Sequence, residues 1–158
     1  AYYEILGELG ANVPQPDFDE VRHQILFVME AIEKGLILSC HDISEGGLLL
    51  TLFEMLVPQR RKKTNLGIMA NMESIAAVHE PQLRMDTLLF SETGGFVMEV
   101  GARHAQLLQE LAKKHQLTLF EIGKTIAQPR LDVIGVCSFE LSELLDIWEK
   151  PVAERLGL

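Results

Sequence analysis

Residues 36–56 read LILSCHDISEGGLLLTLFEML, and this stretch narrows the fold furthest. A short apolar run, Leu36, Ile37 and Leu38, enters a polar turn holding His41, Asp42, Ser44 and Glu45. Gly46 and Gly47 follow, then a longer apolar run. Residues 36–40 are too few for a helix and suit an inner strand. Residues 48–56, apolar on nearly all sides, suit a helix buried on more than one face. On this reading His41 and Asp42 come directly after the strand. Ser44 caps the helix, with two glycines in its first turn. Glycine costs helix propensity, so the missing side chains point to close approach by another backbone or a ligand. The first N–H groups of a helix lack internal partners, which makes such a junction a natural ligand position.

Around this junction the coarse pattern is helix, strand, helix, strand, loop, strand pair, helix, strands, helix. Residues 1–10 suggest a short helix or turn with Tyr3, Leu6 and Leu9 on one side, and Pro14 and Pro16 mark a linker. Asp17 caps the next helix, Glu20 is placed to complete a capping box, and Phe18, Val21, Ile25, Val28, Met29 and Ile32 recur at helical spacing. Residues 66–70 read as an edge strand and residues 73–79 as a short helix. Residues 88–90 and 96–100 read as neighbouring strands around a glycine turn, with Phe96, Met98 and Val100 on one face. Residues 102–115 form a helix with Leu107, Leu108 and Leu111 as its stripe. Residues 117–122 read as a strand and residues 126–136 as paired or continued strand. Ser138 or Ser142 caps a last helix with the stripe Leu141, Leu144, Leu145 and Trp148, interrupted or kinked near Pro151. The expected fold is α+β, a mixed β-sheet covered by α-helices, in one domain over residues 1–158 with an approach segment at 1–16 and a helical tail at 138–158. A doubly wound nucleotide fold would need a G-x-G-x-x-G turn or a P-loop, and neither sequence occurs.

The formal net charge of −9 argues against a nucleic-acid surface, which needs a basic patch. Arg60, Arg61, Lys62 and Lys63 are the strongest basic cluster, read as a solvated loop. No apolar run reaches the roughly 20 residues of a membrane span. Two cysteines, Cys40 and Cys137, lack C-x-x-C spacing and fit buried free thiols in a reducing, cytoplasmic setting. The chain opens at Ala1 without methionine, so it is read as a piece of a larger protein.

The chemistry gathers in two turns. In the first, Asp42 and Glu45 would repel a bare phosphate but accept one carried with Mg²⁺, a cation that prefers oxygen ligands. Asp42 is the candidate functional carboxylate. His41 is the candidate to orient a phosphate or exchange a proton, against the plainer role of a histidine held by a carbonyl. Ser44 and Glu45 are also explained by capping and the helix dipole. The second turn, Ser91-Glu92-Thr93-Gly94-Gly95, again pairs an acid with glycines. Glu92 is placed to face the same cleft and hold a metal or an amine, against the plainer role of a solvent-facing acid. His23, His104 and His115 look surface-bound. A Ser–His–Asp hydrolase lacks its G-x-S-x-G elbow.

Residues 41–55, HDISEGGLLLTLFEM, resemble the signature turn and helix of the carboxyl-terminal domain in the aminoimidazole ribonucleotide synthetase superfamily. Residues 88–100 (LLFSETGGFVMEV) are similar to its second acidic-glycine turn, residues 2–17 (YYEILGELGANVPQPD) to the approach, and residues 120–125 (FEIGKT) to a late strand. Within the superfamily the likeness is greatest to the phosphoribosylformylglycinamidine synthases. The resemblance implies an ATP-dependent ligase that converts formylglycinamide ribonucleotide to its amidine with ammonia from glutamine, ATP and Mg²⁺. It implies catalytic roles for His41 and Asp42, nucleotide or substrate binding at Ser44, Gly46, Gly47, Ser91 and Glu92, and a metal at Asp42 and Glu92. It implies partners outside this chain: amino-terminal synthetase domains carrying the nucleotide motifs, and a glutaminase domain or subunit. Two departures stand out. Glu45 replaces the usual Asp, and Gly94, Gly95 and Phe96 stand where many relatives carry an arginine. A non-catalytic scaffold domain or a small-metabolite kinase relative are the alternatives. A ligand wall should bring His41, Asp42 and Glu92 within reach of one ligand, whereas a scaffold should scatter them.

Overall fold

The computed structural model describes residues 2–9, 15–59, 65–78 and 83–156. The basic cluster Arg60–Lys63, the residues 10–14 of the linker and His79 lie outside them. The fold is α+β with a mixed sheet and covering helices, and the chain divides into two compact units. The first unit comprises Ala1–Thr51 and Arg84–Phe120, the second Leu52–Leu83 and Glu121–Leu158.

The first unit opens with α1 (Tyr2–Ile5). The Tyr2 ring stacks on Phe90 at 4.2 Å, while Tyr3, Leu6 and Leu9 are exposed. Asp17 caps α2 (Phe18–Glu33) by accepting from the N–H groups of Asp19 and Glu20 at 2.9 and 3.2 Å. The capping box does not close, because the Glu20 carboxylate accepts instead from Gln24 one turn on. Only Phe27, Val28 and Ala31 of α2 are buried, so Phe18, Ile25, Met29 and Ile32 of the predicted stripe face outward.

Strand β1 (Ile37–Asp42) pairs antiparallel with β3 (Phe96–Val100), and these two strands form a sheet of their own. The predicted inner strand is thus one of a pair. Its register shifts between Ile37 and Ser39, and the extra residue, Leu38, is turned out to 68% exposure. Phe96, Met98 and Val100 lie on one face as their alternation predicts, against the core of Phe27, Val28, Ala31, Leu36, Leu108, Leu111 and Ala112. That core is closed by α6 (Ala105–Lys114), which follows a single 3₁₀ turn, Ala102–His104. The buried stripe of α6 is Leu108, Leu111 and Ala112, while Leu107 is exposed. Residues 117–122 do not form the predicted strand. Gln116, at φ +59°, reverses the chain, and Leu117 and Leu119 tuck side chains against the core without joining a ladder. Residues 88–90 are not a strand either: they end the short helix α5 (Met85–Phe90), begun where Arg84 grips Asp86 through two bonds of 3.0 and 2.7 Å.

Helices α2 and α6 are clamped by one carboxylate. Glu30 accepts from Lys114 at 2.8 Å and meets His115 at 2.7 Å and Lys34 at 3.2 Å. His115 is mostly covered here, not the surface histidine expected. Hydrogen bonds from Lys114, then His115 and Lys34, hold the Glu30 carboxyl down to about 2, against its ordinary 4.5. A depressed carboxyl pKa adds stability above its unfolded value, and that contribution is lost as pH falls through the folded one. We therefore expect Glu30→Gln to lower the melting temperature at pH 6–7. The gap should narrow between about pH 4.5 and pH 2, a window that a thermal-melt series across pH checks directly.

In the second unit the order is β4-β2-β5-β6, formed by β2 (Gly67–Ala70), β4 (Gly123–Ile126), β5 (Arg130–Val133) and β6 (Cys137–Glu140). β2 pairs antiparallel with β4 and parallel with β5, which makes the sheet mixed. β2 is an inner strand, not the predicted edge, and Ala70 is fully buried. α4 (Glu73–Ala76) follows β2. The last helix, α7 (Leu141–Leu156), begins at Leu141 and runs through Pro151 rather than breaking there. Leu141 is buried, and the Trp148 ring meets Phe53 edge-on at 5.5 Å. The thiols of Cys40 and Cys137 are free and half-buried, and burial pushes both above the ordinary thiol pKa. No helix among the described residues is long and apolar enough to cross a membrane.

Candidate functional site

The two acidic glycine turns meet in the first unit. His41 and Asp42 are the last residues of β1, paired with Val97 and Phe96, rather than the start of the turn. The turn proper is Ile43–Gly46. Ile43 donates its N–H to the Gly95 carbonyl at 2.9 Å, which fastens the first turn to the second. Gly47 donates to the Ser44 carbonyl at 3.1 Å, so Ser44 belongs to a tight turn before the helix. Helix α3 runs Gly47–Glu54, later than the cap assigned to Ser44 requires. Both glycines have positive φ, +83° for Gly46 and +70° for Gly47, which is why the turn needs glycine.

The expected close approach by a backbone is present. A Cβ on Gly47 would sit 2.7 Å from the Leu89 carbonyl oxygen and from the Phe90 carbonyl carbon. The end of α5 therefore lies directly against the start of α3. Ser91, half-buried, closes α5 by donating its N–H to the Thr87 carbonyl at 3.0 Å. Its neighbour Glu92 then reaches back, and Gly46 donates its N–H to Glu92 Oε1 at 3.0 Å. This bond holds the Glu92 carboxyl below the usual carboxylate range. Glu92 is accordingly an ionised acceptor at neutral pH, tied to the other turn, rather than a bare solvent-facing acid.

His41 is held by the Asp42 main chain. Its Nδ1 lies 2.8 Å from the Asp42 carbonyl oxygen and 3.5 Å from Asp42 Oδ1. A carbonyl can only accept, so Nδ1 carries the proton. The Asp42 carboxylate itself is 64% exposed, and Glu45 and Ser44 are exposed as well. Behind them stands a residue that the sequence reading passed over. Thr51, 1% exposed, is the one buried polar side chain among the described residues, and its hydroxyl faces the carbonyls of Gly47 at 3.1 Å and Asp42 at 3.3 Å. One threonine in an otherwise apolar helical run, four residues after Gly47, was the available signal.

Ser44, Gly46 and Glu92 thus lie in two interlocked turns, and His41, Asp42, Gly47 and Ser91 directly flank them. Among the described residues no group of three or more His, Cys, Asp or Glu forms a metal cage. Carboxylate oxygens on Asp42 and Glu92 suit a hard cation that takes most of its ligands from water and phosphate, as Mg²⁺ does.

A phosphoribosylformylglycinamidine synthase subunit PurL of Thermomicrobium roseum is 33% identical over 148 residues, 92% of this chain and 19% of that protein. The PurL subunit of Cutibacterium acnes is 28% identical over 152 residues, 96% of this chain and 18% of that protein. The chain therefore spans about a fifth of the length of these relatives. Among solved structures, PurLQS from Thermotoga maritima superposes with a TM-score of 0.71 at 22% identity, covering 82% of this chain and 22% of that one. T. maritima PurL complexed with ATP gives 0.64 at 23% identity, over 77% of this chain and 21% of that one. Both share the fold. The family model described as AIR synthase related protein, C-terminal domain, matches residues 3–136, and the chain belongs to that family.

Proposed function

We propose that this chain forms one wall of the substrate and nucleotide cleft in an ATP-dependent ligase of purine biosynthesis. The reaction is the conversion of formylglycinamide ribonucleotide, ATP and ammonia to formylglycinamidine ribonucleotide, ADP and phosphate. The amide oxygen is phosphorylated by ATP, and ammonia then displaces phosphate from the same carbon. Amino-terminal synthetase domains carry the rest of the cleft, and a glutaminase domain or subunit supplies the ammonia. The observation that carries this reading is the Gly46 N–H bond to Glu92 Oε1, 3.0 Å long, which brings together two acidic turns distant in sequence. The names of the relatives, and the solved PurL complexed with ATP, support the choice of ligand.

Within that wall Asp42 presents an exposed carboxylate, and Glu92 presents an ionised one fixed by the opposite turn. Mg²⁺ bound with ATP would neutralise charge on the transferring phosphoryl group. Asp42 and Glu92 are the residues to hold it, each offering hard oxygen ligands. His41, whose Nδ1–H meets the Asp42 carbonyl at 2.8 Å, is the residue assigned to orient a phosphate or exchange a proton. Ser44, Gly46, Gly47 and Ser91 complete the proposed wall with small residues, Gly47 through its main chain alone because α5 takes its side-chain position.

The test uses the full-length protein. ADP release should require formylglycinamide ribonucleotide and ammonia together, with one amidine formed per ADP. ADP formed without ammonia, with phosphate moved to another metabolite, would overturn the ligase reading in favour of a kinase.

A further inference from the structure

We infer that Thr51 is a positioning residue for His41, acting through the Asp42 carbonyl. That oxygen has two neighbours able to donate to it: His41 Nδ1 at 2.8 Å and Thr51 Oγ1 at 3.3 Å. A carbonyl oxygen has two lone pairs, so both bonds can form together. The Thr51 hydroxyl has one proton, placed between the Asp42 carbonyl and the nearer Gly47 carbonyl at 3.1 Å. It therefore joins the last residue of β1 to the first residue of α3, across the turn that carries Ser44 and Gly46. At 1% exposure the hydroxyl is shielded from bulk water. Valine has nearly the same shape, so packing alone does not call for a hydroxyl here. The hydroxyl makes the i−4 bond to Gly47 that a helical threonine commonly makes, and beyond it reaches the Asp42 carbonyl, the same oxygen that takes the His41 Nδ1 proton. Free histidine in water favours the Nε2–H form, so the tautomer at His41 depends on how that carbonyl is aimed. The importance of the tautomer rests on the proposed cleft wall; the positioning itself does not.

The test is made on the ¹⁵N-labelled chain without ligand. Thr51→Val should shift the neutral His41 ring toward the Nε2–H tautomer, read from its ring ¹⁵N shifts. The Gly46 and Gly47 amides should exchange with solvent about tenfold faster, as for loss of one buried hydrogen bond. Leu108 and Leu111 amides, in the core of the same unit, should keep their rates, and Thr51→Ser should restore both signatures. If Thr51→Val prevents folding, Thr51→Ala carries the same two readouts. An unchanged His41 tautomer, or acceleration of the Leu108 and Leu111 amides by the same factor as Gly46, would overturn the inference and leave Thr51 a plain core residue. Neither readout uses a ligand. Failure of the full-length protein to make amidine would remove the proposed cleft function while leaving these results standing.

Discussion

Gly47→Ala is expected to destabilise the chain by about 3 kcal/mol, combining left-handed backbone strain with overpacking. The strain comes from φ +70°, and the overpacking from a new Cβ 2.7 Å from the Leu89 carbonyl oxygen. That neighbour is main chain and cannot swing aside as a side chain could. Gly94→Ala separates the two causes. Gly94 also has positive φ, +86°, but a Cβ there would meet nothing within 4 Å. Its cost should stop at the strain alone, about 1 kcal/mol. Urea unfolding of the two variants checks the difference. Equal losses would mean that α5 does not press on the start of α3.

Asp42→Asn is expected to lower kcat/KM of the full-length protein in the proposed ligase reaction by roughly 10²–10³-fold, the scale for removing one preorganised electrostatic contact. The melting temperature of this chain should hardly move. The Asp42 side chain is largely exposed, and the bonds that hold the turn use its carbonyl, which asparagine keeps. Steady-state kinetics and a melting curve on the same preparations make the comparison. Comparable losses of stability and rate would show that the carboxylate serves the fold rather than the reaction.

Much of this site could be read before any coordinates. The order of apolar runs placed β1, α3 and β3, and the repeated acid-glycine pattern picked out both turns. What could not be read was how they touch. The Gly46–Glu92 bond joins residues far apart in sequence, and nothing local to either predicts it. Short apolar runs also carry no reliable period. The apolar residues 88–90 read as a strand by composition but end a helix, fixed by Arg84 and Asp86 just upstream. Residues 117–122 have strand-like side chains, yet Leu117 and Leu119 pack on the core without a ladder partner. Strand rank is a tertiary property as well: β2 became central because β4 and β5, both later in the chain, came to lie on either side of it. Thr51 was missed because one polar residue in a buried helix looks like tolerated noise until its two carbonyl neighbours are known.

Hydrogen exchange read by mass spectrometry, on the full-length protein with and without Mg-ATP and formylglycinamide ribonucleotide, tests most directly whether the paired turns are one ligand surface. Peptides covering residues 41–47 and 91–95 are expected to gain protection together, at the same ligand concentrations. Full turnover with neither peptide protected, or with one protected and the other unchanged, would contradict it.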